Sequence, residues 1–403
     1  MTATELPAQQ YPFGPNEGLA LHPHYAELRE HQPIARVAMP YGGEGWLATR
    51  YADVRTVLAD PRFSRAATAD REDVPRVNPL PQPAGGILGM DPPEHSRLRR
   101  LVARAFTVRR TEEWRPRVEQ IVDDLVTGML AGGQPADLAA QLAWPLPITV
   151  ICEMLGVPYA ERERFRGDTD TSLALGGVTP QEIQDARDRM RAYLAELVAA
   201  HRAEPRDDLL GELVAARDEG DGDRLSELEL VQLGLAVLVA GHETTANQIG
   251  NFIYTLLSRR ELWERLVADP GRIPAAVEEL MRIIPLGAST SFPRMATEDL
   301  ELDGQLIRAG ETVGVHLAAG NRDGSVYVNP EEIDFDRPEI AHLGFGHGAH
   351  HCLGAPLARL ELRTALATLV RRVPQLDLAI AAEEVHWRSD RLIRGVQELP
   401  VRW

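Results

Sequence analysis

The chain has 403 residues, of which 44% are hydrophobic, enough for a large core in one or two domains. Its formal net charge is −17, and all 43 basic residues are arginine. This acidic balance argues against nucleic-acid binding, which needs a concentration of basic groups to hold phosphates.

The cysteine count and the apolar runs limit the cellular compartment. Cys152 and Cys352 are the two cysteines in the sequence, too few for a disulfide framework. The first fifteen residues lack the apolar segment of a signal peptide, and the longest apolar run, Leu233–Gly241, is too short to cross a bilayer. We therefore expect a cytoplasmic protein that works without a membrane.

In the first half of the chain, strand and turn signals give way to a strongly helical pattern. Residues 1–24 are predicted to be an irregular lead-in, and residues 70–93 form a loop rich in glycine and proline. Residues 218–224 form an acidic loop. The predicted elements are strands at Ile34–Val37 and Gly45–Thr49, and helices at Tyr51–Ala59, Glu94–Ala105, Glu112–Leu130, Leu138–Leu155 and Pro180–Glu204.

The second half begins with the longest helical pattern and ends in short strands. A long loop is predicted at Asn321–His351. The predicted helices are Ser226–Leu257, Glu261–Ala268, Pro274–Ile284 and Ala355–Arg371, and the strands are Glu301–Leu302, Thr312–Val315 and a C-terminal pair ending at Trp403. This distribution predicts a mainly α fold with small β-sheets, built as one large domain over residues 1–403.

The stretch FGHGAHHCLG, residues 345–354, places a cysteine among glycines and histidines. Its glycines permit a tight turn, and Pro356 opens the helix that follows. Cys352 then lies at a helix N-terminus, which lowers a thiol pKa and suits a thiolate ligand for iron. A structural buried cysteine is one alternative. A zinc site is another, although its spacing matches no common pattern; its ligands would be His342, His347, His350, His351 and Cys352.

The stretch AGHETT, residues 240–245, puts polar groups in the middle of the longest predicted helix. The Thr244 hydroxyl can bond back to the carbonyl of Ala240, and Gly241 leaves room for a bulky neighbour. Helical spacing turns His242 away from this face, so we give it no chemical role. A solvated polar patch is the alternative interpretation.

Two other charged pairs have helical spacing. Glu279 and Arg282 are three residues apart, and His95 and Arg99 are four apart. Each could simply be a pair on a helix surface. Cys152 is flanked by apolar residues and is predicted to lie in the core.

The cysteine loop resembles the haem-binding signature of the cytochrome P-450 family: Phe, Gly, any, Gly, any, His, any, Cys, any, Gly. Every fixed position matches. The resemblance extends over most of the chain, from about Pro23 to Trp403, and is strongest to soluble actinobacterial members that modify natural products. It implies a single P-450-type domain, with haem b between the long central helix and the cysteine loop.

The resemblance also implies roles for individual residues. Cys352 would be the proximal iron ligand, with its thiolate favouring O–O cleavage. Glu243 and Thr244 would be the acid–alcohol pair that delivers protons. Glu279, Arg282 and Arg337 would form a structural triad that holds the cysteine loop. The remaining haem contacts would be His95, Arg99, Arg294, Phe345, His350 and Gly354.

The implied activity is haem-thiolate monooxygenation: one atom of O2 enters a C–H bond, by hydroxylation or epoxidation, of a lipophilic macrolide, terpene or steroid. A peroxide-driven haem enzyme and a non-enzymatic haem sensor or electron carrier are the alternatives. The expected pocket walls are Ile87, Leu88, Ala236, Val237, Ala240, Gly241, Leu286, Gly287, Ala288, Ser289, Thr290 and Leu392.

No reductase domain is recognised in the sequence, so electrons are expected to come from NAD(P)H through a ferredoxin reductase and a ferredoxin. An acidic ferredoxin would dock on Arg97, Arg100 and Arg359. We expect the protein to act as a monomer.

Overall fold

The computed structural model describes residues 7–14, 18–218, 225–290, 292–338 and 341–403. Within these ranges the chain is mainly helical. The helices are α1 (His24–His31), α2 (Tyr51–Ala59), α3 (Glu94–Ala103), α4 (Val108–Gly132), α5 (Pro145–Leu155), α6 (Arg162–Ser172), α7 (Pro180–Ala203), α8 (Leu209–Asp218), α9 (Glu227–Ser258), α10 (Arg260–Ala268), α11 (Ile273–Ile283), α12 (Leu317–Gly320) and α13 (Ala355–Arg372).

Short strands from both ends of the chain assemble beside the helices. They are β1 (Gln9–Gln10), β2 (Ile34–Ala38), β3 (Glu44–Ala48), β4 (Phe63–Ser64), β5 (Ala136–Asp137), β6 (Arg294–Ala296), β7 (Leu300–Leu302), β8 (Gln305–Ile307), β9 (Thr312–Val315), β10 (Asp377–Leu378) and β11 (Pro400–Arg402). The largest sheet has the order β1-β2-β3-β9-β6-β4. In it, Trp46 of β3 pairs in parallel with Val313 of β9, so one sheet joins segments more than 260 residues apart.

The central helix α9 has a strong start signal and a buried course. The Ser226 hydroxyl accepts from the Glu229 amide, and the Glu229 carboxylate accepts from the Ser226 amide, which forms a capping box. Most of α9 then packs against α5, α7 and α13 within the main hydrophobic core. A helix enclosed on so many sides is a rigid support for a functional group.

Most predicted elements are confirmed, and the exceptions have identifiable causes. Helices α1, α6, α8 and α12 were not predicted. Helix α6 contains a single large apolar residue, Phe165, so it shows no apolar stripe. The predicted helix Leu138–Leu155 is interrupted, because Ala139–Ala143 forms a π-helical turn before α5 begins. The lead-in is not wholly irregular, since Gln9–Gln10 pairs with β2. Most of the acidic loop predicted at 218–224 lies outside the described residues.

Candidate active site

Glycines and backbone hydrogen bonds define the shape of the cysteine loop. The Cys352 amide donates to the carbonyl of Phe345 over 2.8 Å, which closes the loop. Gly346 and Gly348 have φ values of 73° and 72°, a conformation that favours glycine. A Cβ on Gly348 would also lie 2.9 Å from Cα of Ala59, so this glycine lets the loop pack against α2.

Burial is the main influence on the pKa of the Cys352 thiol. The residue keeps an exposed face, yet the protein packed around it raises the pKa of the thiol. Backbone amides of Gly354 and Ala355, with Arg99 and Arg359, act in the opposite direction and are outweighed. The helix N-terminus therefore acts in the predicted direction, but burial outweighs it, and the predicted net lowering of the pKa is wrong for the protein alone. Bonding to a metal ion deprotonates a coordinating thiol outright, so iron would supply what the loop does not.

The zinc alternative is contradicted. Among the described residues no group of three or more histidine, cysteine or acidic side chains is arranged to hold a metal ion. His342 pairs with Glu278 instead, with 3.1 Å between Nε2 and Oε2. His350 contacts His95, with 4.1 Å between the ring centroids and 42° between the ring planes. The candidate ligands therefore face different partners.

Buried cationic and histidine groups gather beside the cysteine loop. The Arg65 guanidinium lies 3.1 Å from Nδ1 of His350, and Arg294 donates to the carbonyls of Val57 and Leu58. Burial, and then the charge of Arg294, lower the pKa of Arg65 to about 9. Burial, and then the arginine charges nearby, lower the pKa of His95 to about 4.

This cluster fits the propionates of a haem. Four of its buried nitrogens have no hydrogen-bond partner among the described residues: Arg65 Nε, His95 Nδ1, Arg294 Nη2 and His350 Nε2. Buried nitrogen groups without partners are costly, and carboxylates would both neutralise and satisfy them. The structure thus brings together three predicted propionate contacts, His95, Arg294 and His350.

Sequence reasoning missed Arg65 and did not anticipate that Arg99 contacts the backbone of the cysteine loop. Arg65 follows the two-residue strand β4, and nothing local in the sequence distinguishes it from a surface arginine. Arg99 donates to the carbonyl of His351 over 2.6 Å, so it contacts the backbone of the cysteine loop. It supports the loop as well as adding charge near Cys352.

The acid–alcohol pair is divided between two faces of α9. The Thr244 hydroxyl donates to the carbonyl of Ala240 over 2.7 Å, as predicted. Ala240 is exposed although it lies in the middle of the central helix, so this face borders open space. Glu243 is 2% exposed and turns toward the C-terminal segment.

The buried carboxyl of Glu243 contacts an arginine and borders a polar cavity. Its Oε1 accepts from Arg388 over 2.7 Å, and Arg388 pairs in turn with Asp170 on α6. Burial raises the pKa of Glu243 to about 7, against the hydrogen bond from Asn247 and the charge of Arg166. The carboxyl borders a cavity of about 360 Å³, lined by Trp144, Arg166, Gly167, Asp170, Glu243, Arg388 and Gln397. A carboxyl with this pKa can exchange protons near neutral pH.

The predicted triad is formed and buried. Glu279 accepts from Arg282 over 2.7 and 2.8 Å and from Arg337 over 3.1 and 3.2 Å. Arg282 also donates to the carbonyl of Asn321, whose side-chain oxygen accepts from the Leu343 amide. This chain of hydrogen bonds connects α11 to the start of the cysteine loop.

Two of the predicted pocket walls meet in the structure. The Ala288 amide donates to the carbonyl of Leu392 over 2.9 Å, and the Arg394 amide to that of Leu286 over 2.8 Å. Ile87 is half-buried and Leu88 is exposed, and both lie on the turn before α3.

Three other predicted pocket residues pack against neighbouring parts of the fold. Val237 is buried in the main core, and Thr290 packs against Gly314. A Cβ on Gly241 would lie 2.8 Å from Ile151, so this glycine allows α5 to pack closely against α9.

Comparison with known proteins matches this geometry. The family model described as Cytochrome P450 matches residues 173–270 and 273–374. The chain is 51% identical to Nocardicin C N-oxygenase of Nocardia uniformis subsp. tsuyamanensis and 50% identical to Mycinamicin IV hydroxylase/epoxidase of Micromonospora griseorubida. Both alignments span 403 residues and cover 100% of each chain.

A solved structure shares the fold along almost the whole chain. The crystal structure of HinD with NMFT and NO superposes with a TM-score of 0.95 at 46% identity, covering 99% of this chain and 100% of that one. None of the described helices is long and apolar enough to span a membrane. The site combines a cysteine loop, a cationic cluster suited to propionates and an acid–threonine pair on the central helix. Together with the full-length similarity to known oxygenases, these features show that this chain belongs to the cytochrome P450 family of haem-thiolate monooxygenases.

Proposed function

We propose that this monooxygenase inserts oxygen into a C–H bond of a macrolide-like natural product. The observation that carries the proposal is the acid–alcohol pair on α9, with Thr244 beside the small, exposed Ala240 and Glu243 buried behind it. A small residue at position 240 suits a bulky apolar substrate. The 50% identity to a mycinamicin IV hydroxylase/epoxidase over its full length supports a macrolide.

The residues around the cofactor bind and orient it. When bound, the haem supplies the activation of O2, with Cys352 as its iron ligand. His95, Arg65, Arg294 and His350 would hold its propionates by charge-assisted hydrogen bonds.

Protons reach the reaction through α9. Glu243 takes up a proton at its carboxyl from the polar cavity beside Arg388. Thr244 carries its hydroxyl on the exposed face beside Ala240, where it can hold and donate a proton on the side on which the haem would lie. General acid assistance of this kind accelerates a reaction about 10²- to 10⁴-fold. The pair also favours O2 over peroxide as the oxidant, since a peroxide-driven enzyme does not need the relay.

The test is an absorbance titration of the ferric protein with mycinamicin IV, nocardicin C, a steroid and a terpene. A low-spin to high-spin shift with the macrolide alone is expected. A shift with nocardicin C and none with the macrolide would refute the proposed C–H oxygenation and favour oxygenation at nitrogen. A spectrum without thiolate-ligated haem would refute the assignment as a haem-thiolate enzyme.

Electrons come from a redox partner, and we propose an acidic ferredoxin supplied by an NAD(P)H-dependent ferredoxin reductase in the cytoplasm, acting on a monomer. Arg97 is engaged with Glu229, and Arg359 is in a bidentate pair with Glu278. Arg100 is exposed on α3, and we keep all three arginines as the proposed docking residues. Arg100→Glu should slow reduction by ferredoxin several-fold, with Arg308→Glu on β8's turn as the control; equal rates would exclude this face.

A further inference from the structure

His242 is a buried titratable side chain next to Glu243 that the reaction described so far does not use. Its Nδ1 lies 2.8 Å from the carbonyl oxygen of Leu238. Nδ1 must therefore carry the proton, and Nε2 has an unshared electron pair. Nε2 lies 4.0 Å from Oε2 of Glu243, and both atoms are buried without a hydrogen-bond partner among the described residues.

Two acceptor atoms facing each other repel unless one of them carries a proton. Burial, helped by the charge of Arg166, lowers the pKa of His242 to about 4, so the imidazole stays neutral. Burial raises the pKa of Glu243 to about 7, so the carboxyl is the group that can hold the proton. A distance of 4.0 Å is too long for a hydrogen bond. Arg388 and Asn247 hold Oε1, so the hydrogen bond that we propose requires a turn about the Cγ–Cδ bond that moves Oε2 toward Nε2.

We propose that His242 is a positioning residue for the acid: its Nε2 accepts a hydrogen bond from protonated Oε2 of Glu243 and holds that carboxyl neutral and oriented. The proposal rests on the proton-donor role proposed for Glu243 and extends it. It gives a reason for a polar side chain at a position 0% exposed in the central helix.

The cations around Glu243 act against the neutral form of its carboxyl. Arg388 donates to Oε1 over 2.7 Å from the C-terminal segment, and Arg166 on α6 and Arg391 add positive charge. These cations favour the ionised carboxylate, as does the amide of Asn247. Asp170 pairs with both Arg388 and Arg391 and so offsets part of their charge. When Nε2 of His242 accepts a hydrogen bond from the protonated carboxyl, it stabilises the neutral form, as burial does.

Two substitutions separate this role from a structural one. In His242→Asn the amide nitrogen can replace Nδ1 and still donate to the Leu238 carbonyl, while the acceptor at Nε2 is lost. In His242→Gln the longer side chain returns an acceptor oxygen near the position of Nε2. If His242 had a purely structural role, any change in the pKa of Glu243 would follow the loss of stability in each variant. The proposed role predicts a defect in the first and rescue in the second.

The readout is the infrared carbonyl band of protonated Glu243 in the ferrous, carbon monoxide-bound holoenzyme, titrated with pH. Burial also raises the pKa of Glu361 well above its ordinary value, so a second protonated carboxyl contributes to the spectrum. The difference from Glu243→Gln isolates the band of interest. Burial raises the pKa of Glu243 to about 7 without any contribution from His242, so a hydrogen bond to the neutral carboxyl should put the midpoint of the unmodified protein above pH 7. It should fall by roughly one unit in His242→Asn, the worth of one hydrogen bond, and return in His242→Gln.

An unchanged midpoint in His242→Asn would overturn the proposal. If that variant does not retain haem, the ¹⁵N resonance of His242 Nε2 in the unmodified protein gives an independent result. It should shift at the same midpoint as the infrared band, and a resonance that stays constant through that pH would also overturn the proposal. The infrared midpoint does not depend on turnover, so a separate experiment tests the proton-donor role of Glu243. If Glu243→Gln left the coupling of electron use to product formation unchanged, the proton-donor role would be refuted, whatever the result for His242.

Discussion

Gly348→Ala should displace the cysteine loop, and Gly346→Ala is its matched control. Both glycines have φ near +73°, so an alanine costs about 1–2 kcal/mol at either position. The nearest atom to an added Cβ at Gly346 is the carbonyl oxygen of His350 at 3.9 Å, an ordinary contact. At Gly348 the Cβ would lie 2.9 Å from Cα of Ala59 and closer still to the carbonyl of Leu58. These are backbone atoms, so the loop itself must move.

The displacement can be estimated from the contact. An ordinary Cβ contact begins at 3.4 Å, so a distance of 2.9 Å requires a shift of at least 0.5 Å. Overpacking of this kind adds about 1–3 kcal/mol to the cost of the backbone conformation. A shift of the same order at Cys352 would disturb iron ligation, because the Cys352 amide is bonded within the same loop.

The assay is the haem content from the ferrous–carbon monoxide spectrum, together with thermal unfolding of each holoenzyme. Gly346→Ala should retain thiolate-ligated haem with a modest loss of stability. Gly348→Ala should lose most of the thiolate-ligated species and unfold at a clearly lower temperature. Equal spectra and equal unfolding temperatures in the two variants would refute the argument that contact with α2 fixes the loop.

Three other perturbations test separate parts of the molecule. Thr244→Ala should lower product per electron pair about tenfold or more while Thr244→Ser stays near the unmodified protein, measured by NAD(P)H consumption against product; full coupling in the alanine variant would exclude the relay. Glu279→Gln should cost about 3–5 kcal/mol in urea unfolding, because Arg282 and Arg337 lose their buried counter-charge. Burial lowers the pKa of His316 to about 3, so the unfolded state binds a proton below pH 6.5 that the folded state refuses. The free energy of unfolding therefore decreases as the pH falls. In His316→Asn, whose side chain can still cap α12, the decrease between pH 7 and 5 measured by urea titration should be smaller by about 2 kcal/mol.

The sequence was most informative where the determinants are local. The spacing of apolar residues and the turn signals predicted α2 and β9 at their observed bounds. The capping residues of α9 are three positions apart, so its start could be located to within one residue. The cysteine loop combines glycine conformations, a proline helix opener and one thiol in ten positions, and it could be identified from residues 345–354 alone.

Elements without a local pattern were missed. Helix α6 has almost no apolar stripe, and its stability comes from packing on α7 and α5. The six-stranded sheet joins β3 to β9 across most of the chain. Its strands are two to five residues long, and such short strands carry no information about their partners. The pairing of such strands is decided by the helices that bring them together.

Tertiary structure also decided the electrostatics of the site. The sequence assigned Cys352, Glu243 and Thr244, but it predicted a lowered thiol pKa, and burial reverses that direction. It did not indicate that Arg65 joins the cationic cluster or that Arg388 reaches Glu243 from 145 positions further along the chain. A pKa depends on which groups surround an atom and how much water they exclude, and that is determined only when distant segments pack together.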